Sequence, residues 1–294
     1  MFKPKVLLLT GVLVLGACQG DTLEPLEGYA EVNETRLYYE LTGRGEPLVL
    51  VHGWSFDTRC WDDQFPAFSQ HFKVLRYDLR GFGRSDVPQV GAAYSHTNDL
   101  VALLDHLDLE RVHLLGHSFG GRIAIDFALR YPERMLSLLL PDAAVDLSDP
   151  PALEELSAWI GGTWRAGREK GVAAARQIWL QGSPFAPAMD NAHASAKVRQ
   201  MVEDYSGWHW QNDNPSVGID SYPRERLADI GLPTLIVLGL LNPQYYHEVA
   251  AIQHQYIPNS TFVTMPGVGH ALNIEDPAEF NRIVLEFMDA VTRQ

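Results

Sequence analysis

The chain has 294 residues, 46% of them hydrophobic, and a formal net charge of −14. That length admits one large α/β domain or two small ones, with ample apolar content for a core. The acidic balance argues against a nucleic-acid binder, whose phosphate partners call for a basic face, and no solenoid or propeller repeat is present.

At the N-terminus, Lys3 and Lys5 precede an apolar run, Val6 to Leu15, which meets Leu15-Gly16-Ala17-Cys18. A charged start, a short apolar core and small residues at the end are the pattern of an export signal over residues 1–17. The run is too short to remain as a membrane-spanning helix. Small residues directly before cysteine resemble the bacterial lipobox. That resemblance implies cleavage before Cys18, lipid on its sulfur and a tether over 18–27. With Gln19 next, it also implies a place on the periplasmic face of the outer membrane. With Cys18 lipidated, Cys60 is left without a disulfide partner and reads as a small buried hydrophobe.

Two short strands are expected at Tyr29–Val32 and Leu37–Leu41, around the polar turn Asn33-Glu34-Thr35. Pro47–Val51 is a continuous apolar run, the kind buried on both faces of a parallel sheet, and it ends at His52-Gly53-Trp54. A helix around Trp61–Gln70 and a strand at Lys73–Tyr77 follow. The loop Asp78–Asp86 contains two glycines but lacks the third glycine and the immediate helix of a nucleotide cradle. Leu100, Leu103, Leu104 and Leu107 recur at helical spacing within Ser95–Leu107.

Next comes the most informative stretch. The apolar run Val112–Leu115 ends in Gly116-His117-Ser118-Phe119-Gly120, and a helix-like segment, Arg122–Tyr131, follows. A strand turning at once into a helix leaves little room on the inner side of the turn, hence the glycines, and lifts the serine hydroxyl beside free helix N–H groups. Leu136–Leu140 is another strand, ending at Pro141-Asp142. Strand–helix alternation then stops. The insertion 149–228 reads as helical and holds five of the seven tryptophans. Alternation resumes with a strand at Thr234–Leu238, a helix at Gln244–Gln255, a strand at Thr261–Met265 and a helix at Pro277–Val291. The plan is a mostly parallel sheet with helices on both faces, interrupted by a helical insertion.

From about Gly28 onward the chain resembles the α/β-hydrolase fold superfamily, in its serine esterase and lactonase branch. The matching pieces are His52-Gly53-Trp54, Asp78-x-Arg80-Gly81-x-Gly83-x-Ser85, Gly116-His117-Ser118-Phe119-Gly120 and Gly267-x-Gly269-His270, in the family's order. The resemblance implies an eight-stranded, mostly parallel sheet with a helical cap inserted after strand six. The core would then comprise 28–148 and 229–294, with the cap at 149–228.

Ser118 is the candidate nucleophile, and a serine hydroxyl needs a base within hydrogen-bond reach. His270, late in the chain behind Gly267-Val268-Gly269, holds the position of the fold's base. The backbone N–H groups of Trp54 and Phe119 are the candidate oxyanion donors, and His52 reads as a brace for its loop. The sequence departs from the family at the acid. The usual carboxylate follows strand seven, where this chain reads Gly239-Leu240-Leu241-Asn242. Asp142, after strand six, is the favoured third member, and Asn242 the alternative. No His-Glu-x-x-His is present, and neither metal nor cofactor is inferred.

The expected reaction is hydrolysis of a small carboxylic ester or lactone through an acyl-serine. A carbon–carbon bond hydrolase and a cofactor-free perhydrolase or haloperoxidase-like enzyme use the same residues. Dehalogenases and epoxide hydrolases of this fold need a carboxylate where Ser118 stands. The replacement at Asn242 leaves a weakened, ligand-binding relative as a reading from another class. Oligomeric state is left open.

Overall fold

The computed structural model describes residues 25–145, 153–213 and 224–293. The expected signal, Cys18 and all but the last residues of the tether lie outside them, as does the expected boundary at 148/149. The boundary at 228/229 falls within a 3-10 turn, Arg224–Asp229. Among the described residues no helix is long and apolar enough to cross a membrane.

Eight strands form one sheet: β1 Leu26–Val32, β2 Thr35–Gly43, β3 Pro47–Val51, β4 Lys73–Tyr77, β5 Val112–Gly116, β6 Met135–Pro141, β7 Thr234–Gly239 and β8 Ser260–Met265. Their spatial order is β1-β2-β4-β3-β5-β6-β7-β8. Strands β1 and β2 form a hairpin whose two turn residues, Asn33 and Glu34, both have positive φ, the backbone a tight hairpin turn needs. β2 is antiparallel to β4, and all later pairings are parallel. Every residue of β5 and β7 is buried, as expected of strands covered on both faces.

The helices flanking the sheet are α1 Phe65–Phe68, α2 His96–His106 and α3 Phe119–Arg130 before the insertion. The insertion contributes α4 Leu153–Lys170, α5 Val172–Leu180, α6 Ala186–Asp190, α7 Ala192–Asp204 and α8 Trp208–Gln211. After it come α9 Gln244–Tyr256, α10 Leu272–Glu275 and α11 Pro277–Thr292. Local chemistry sets several of their starts: Ser95 caps α2 by accepting from Asn98 N–H, and Asp276 caps α11 by accepting from Glu279 N–H. The expected helix Trp61–Gln70 is instead a 3-10 turn, Thr58–Trp61, and the single turn α1. Asp57 caps the first piece, and the aromatic residues Trp61, Phe65 and Phe68 are buried by tertiary packing, not by one continuous helical stripe.

This broken segment matters because it backs the loop after β3. The Arg76 guanidinium, on β4, donates to Glu40 on the facing residue of β2, to Asp62 and to the Thr58 carbonyl. The buried Asp78 carboxylate accepts from Thr58 N–H at 2.7 Å and from Arg84 N–H at 2.8 Å. Burial pushes that carboxyl up to about 7. His52 completes the frame: its Nδ1–H donates to the Gly53 carbonyl (2.8 Å), and its Nε2 accepts from Leu79 N–H (3.0 Å). The loop carrying Trp54 is therefore tied to β2, β4 and the Asp78–Asp86 loop at once.

Candidate active site

Ser118 stands between the end of β5 and the start of α3. A Cβ on Gly116 would lie 2.3 Å from the Gly120 carbonyl oxygen, and one on Gly120 would lie 2.3 Å from the Val51 carbonyl oxygen. Only glycine permits both approaches. The turn is pinned by His117 N–H donating to Val51 and Ser118 N–H donating to Pro141. Ser118 pays for this compactness with φ +53° and ψ −115°, a conformation that L-residues rarely adopt.

The Ser118 hydroxyl donates to His270 Nε2 at 2.8 Å, with both residues buried. The ring proton of His270 is then on Nδ1, which has no hydrogen-bond partner among the described residues. Asp142 Oδ2 stands 3.9 Å from that nitrogen. Catalytic hydrogen bonds commonly tighten to normal length only once substrate is in place. Asp142 Oδ1 accepts from Gly239 N–H (3.1 Å), and Oδ2 accepts from the Asn242 amide (2.8 Å). That amide also donates to the Gly239 carbonyl, at 3.1 Å. Asn242 thus touches the carboxylate, and no hydrogen bond joins it to His270.

Burial governs the electrostatics. It holds His270 well below the usual histidine range, with nearby His117 adding to the effect, so the ring stays neutral and able to accept a proton. The Asp142 carboxyl is pushed up by burial, against the hydrogen bonds from Asn242 and Gly239 that favour its anion. His117 Nε2–H donates to the His270 carbonyl at 2.7 Å, fixing the histidine loop over the turn, and burial lowers its ring to about 4. His117, Asp142 and His270 present ligand-type atoms within 4.8 Å of one another. An ion there would compete with hydrogen bonds that already organise the group.

Trp54 and Phe119 line the same cavity as His270, and among the described residues neither N–H donates a backbone hydrogen bond. The cavity, of about 320 Å³, is roofed by the cap residues Trp159, Trp164, Trp179 and Phe185. Its size and apolar walls suit a small organic ligand. The cap docks directly on the site. Trp179 Nε1–H donates to Ser55 Oγ at 2.7 Å, and Trp54 packs on Trp164 with ring centroids 5.1 Å apart. His209, on α8, reaches into the core, where Tyr94 and Tyr205 hydroxyls bond its two nitrogens and Phe82 stacks on it.

The structure therefore brings Ser118, His270 and Asp142 together, with Trp54 and Phe119 beside them and Asn242 behind the acid. Two further wall residues carry chemistry that the sequence reading passed over. Arg122, the one charged residue lining the cavity among the described residues, follows Ser118 by four, a spacing that places it on the same face of α3. Tyr246 lies against the His270 ring, centroids 4.3 Å apart, and nothing in its local sequence distinguishes it from a packing residue.

The chain belongs to the α/β-hydrolase fold family, whose profile matches residues 46–277. It is 28% identical over 267 residues to a pimeloyl-[acyl-carrier protein] methyl ester esterase of Yersinia enterocolitica, covering 86% of this chain and 97% of that one. Among solved structures it is similar to the enol-lactonase of Burkholderia xenovorans LB400, with a TM-score of 0.77 and 25% identity over 89% of this chain and all of that one. A hydrolase of Pseudomonas aeruginosa is similar with a TM-score of 0.76 and 29% identity, over 89% of this chain and 98% of that one.

The strain at position 118 is measurable. Ser118→Gly is expected to be more stable than Ser118→Ala by about 1 kcal/mol in urea unfolding, because only glycine relieves the positive φ. Equal stability of the two variants would show that the backbone here is unstrained.

Proposed function

We propose that the chain is a serine hydrolase that cleaves a small carboxylic ester or lactone. The observation that carries this reading is the 2.8 Å hydrogen bond from Ser118 to a neutral, buried His270 in an aromatic cavity also lined by Trp54 and Phe119, whose N–H groups donate no backbone hydrogen bond among the described residues. His270 takes the Ser118 proton as Oγ attacks the carbonyl carbon. The Trp54 and Phe119 N–H groups receive the charge that develops on the carbonyl oxygen. His270 then returns the proton to the leaving oxygen, and water, activated by the same ring, releases the acid. Asp142 stabilises the imidazolium that forms in each half. The similarity to a methyl ester esterase and to an enol-lactonase supports an ester or lactone as the bond cleaved.

A fluorophosphonate probe is expected to label the folded protein at Ser118 and to lose that label in Ser118→Ala; intact folded protein that takes no label would refute the proposal. Asp142→Asn is expected to lower kcat by about 10²- to 10⁴-fold. Asn242→Asp sets a second carboxylate against the first and is not expected to raise it. An Asp142→Asn enzyme with wild-type kcat would remove Asp142 from the mechanism.

We further propose that the protein is held at the bacterial cell envelope, at the periplasmic face of the outer membrane, by lipid on Cys18. The support is the order of Lys3, Lys5, the apolar run and Gly16-Ala17-Cys18-Gln19 ahead of the folded domain. Cys18→Ser should move the protein from the membrane fraction to the soluble one. Continued sedimentation of that variant with membranes would contradict the anchor.

A further inference from the structure

The Tyr246 phenol has no part in the steps above, yet it reaches the reacting atoms. Its ring packs on the His270 ring with centroids 4.3 Å apart, and it borders the same cavity as Ser118 and His270. The side chain is held firmly. Tyr246 N–H donates to Pro243 in the first turn of α9, and Tyr245 packs edge-on behind it with ring centroids 5.1 Å apart. The Tyr245 hydroxyl is itself tied to the Val145 carbonyl at 2.6 Å.

Strand order places this hydroxyl relative to the reaction. The oxyanion donor Trp54 follows β3, on one side of β5, whereas Tyr246 follows β7, on the other. An ester seated on Ser118 with its carbonyl oxygen toward Trp54 and Phe119 must turn its leaving oxygen toward His270 Nε2, which has to protonate it. Tyr246 packs on that histidine, its ring tilted by 37°, and lines the same cavity. Burial holds that phenol well above its ordinary range, so it keeps its proton and acts as a donor.

We propose that Tyr246 is a further catalytic residue, which donates a hydrogen bond to the leaving-group oxygen as the acyl-enzyme forms. The inference rests on the serine-hydrolase reading. As Ser118 Oγ bonds to the carbonyl carbon, its proton passes to His270 Nε2. When the tetrahedral intermediate collapses, the carbon–oxygen bond to the leaving group breaks. The electron pair goes to the leaving oxygen, and the proton on His270 goes with it. The phenol keeps its own proton throughout and shares it with the oxygen while negative charge accumulates there. Such help counts most for a strongly basic leaving group.

The test compares an ethyl ester and a 4-nitrophenyl ester of one acid, chosen from acids whose 4-nitrophenyl ester the wild-type protein hydrolyses. Ethoxide needs a donor as it leaves, and 4-nitrophenolate needs one far less. Tyr246→Phe keeps the ring on His270 and removes only the hydroxyl. It is expected to lower kcat/KM on the ethyl ester by roughly tenfold to a hundredfold, and on the 4-nitrophenyl ester by a factor about ten times smaller. Tyr246→Leu removes the ring as well and should add a further loss common to both esters. An equal loss on the two esters in Tyr246→Phe, or no loss on either, would overturn the assignment. Absence of any ester hydrolysis by the wild-type protein would instead overturn the serine-hydrolase reading on which it stands.

Discussion

The closeness with which β5 can hand the chain to α3 sets the rest of the site. At Gly116 and Gly120 the backbone passes within contact of other backbone, leaving no volume for a side chain. The residue between them is forced into a positive φ and its hydroxyl is thrust out of the sheet. Hydrogen bonds from this turn to β3 and β6 then fix the hydroxyl against the two neighbouring strand ends. The loop carrying Trp54 leaves one of those strands and Asp142 leaves the other, so the turn acts as the common origin for both. Strain of this kind persists only where surrounding structure over-determines it, and the buried central strands supply that rigidity.

A second layer of order comes from the cap. In many folds of this plan one could treat the core and the insertion separately, but here they share side chains at the reaction centre. Ser55 and Trp54 belong to the loop expected to hold the oxyanion, and each is gripped by a cap tryptophan, through the Trp179 hydrogen bond and the Trp164 ring contact. His209 reinforces this from the other side, filling space that Gly81 leaves open: a Cβ there would lie 2.3 Å from the imidazole. The positions of the cap and of the Trp54 loop are therefore coupled mechanically. The aromatic roof serves packing and substrate enclosure together, so the tryptophan-rich composition of the insertion need not be assigned to one or the other.

Legibility in the sequence followed the range of the interactions involved. Strands β3 and β4 could be read to the residue because a continuous apolar run bounded by turn chemistry is a local signal. The turn at Ser118 was also readable, since its steric demand is met by neighbouring residues. The segment after Trp61 was misread as one helix because its aromatic residues are spaced for packing into the core, with Pro66 lacking a backbone donor. Asp142 could be favoured over Asn242 but not placed, because its relation to His270 depends on the reach of two strand ends separated widely in sequence. Tyr246 was invisible for the same reason, its significance arising only when α9 folds its first turn over the histidine ring.

The exchange at the acid position has its own physical logic. The Asn242 amide donates to Asp142 Oδ2 and to the Gly239 carbonyl, two acceptors that converge on one Nδ2. A carboxylate at 242 would present oxygens to both and repel both. Asp142 is already burdened by burial and by Glu275, each of which disfavours its anion, and a further negative charge at hydrogen-bond distance would disfavour it more. One of the two strand ends can carry a buried anion comfortably, and the other must then supply a donor. With aspartate at 142, the amide at 242 is what keeps that single charge solvated by protein, in place of water, beside a histidine whose own burial keeps it neutral. Residues 142 and 242 thus act as a pair. The asparagine is meaningful because of the aspartate it faces, and neither residue can be judged from its own position alone.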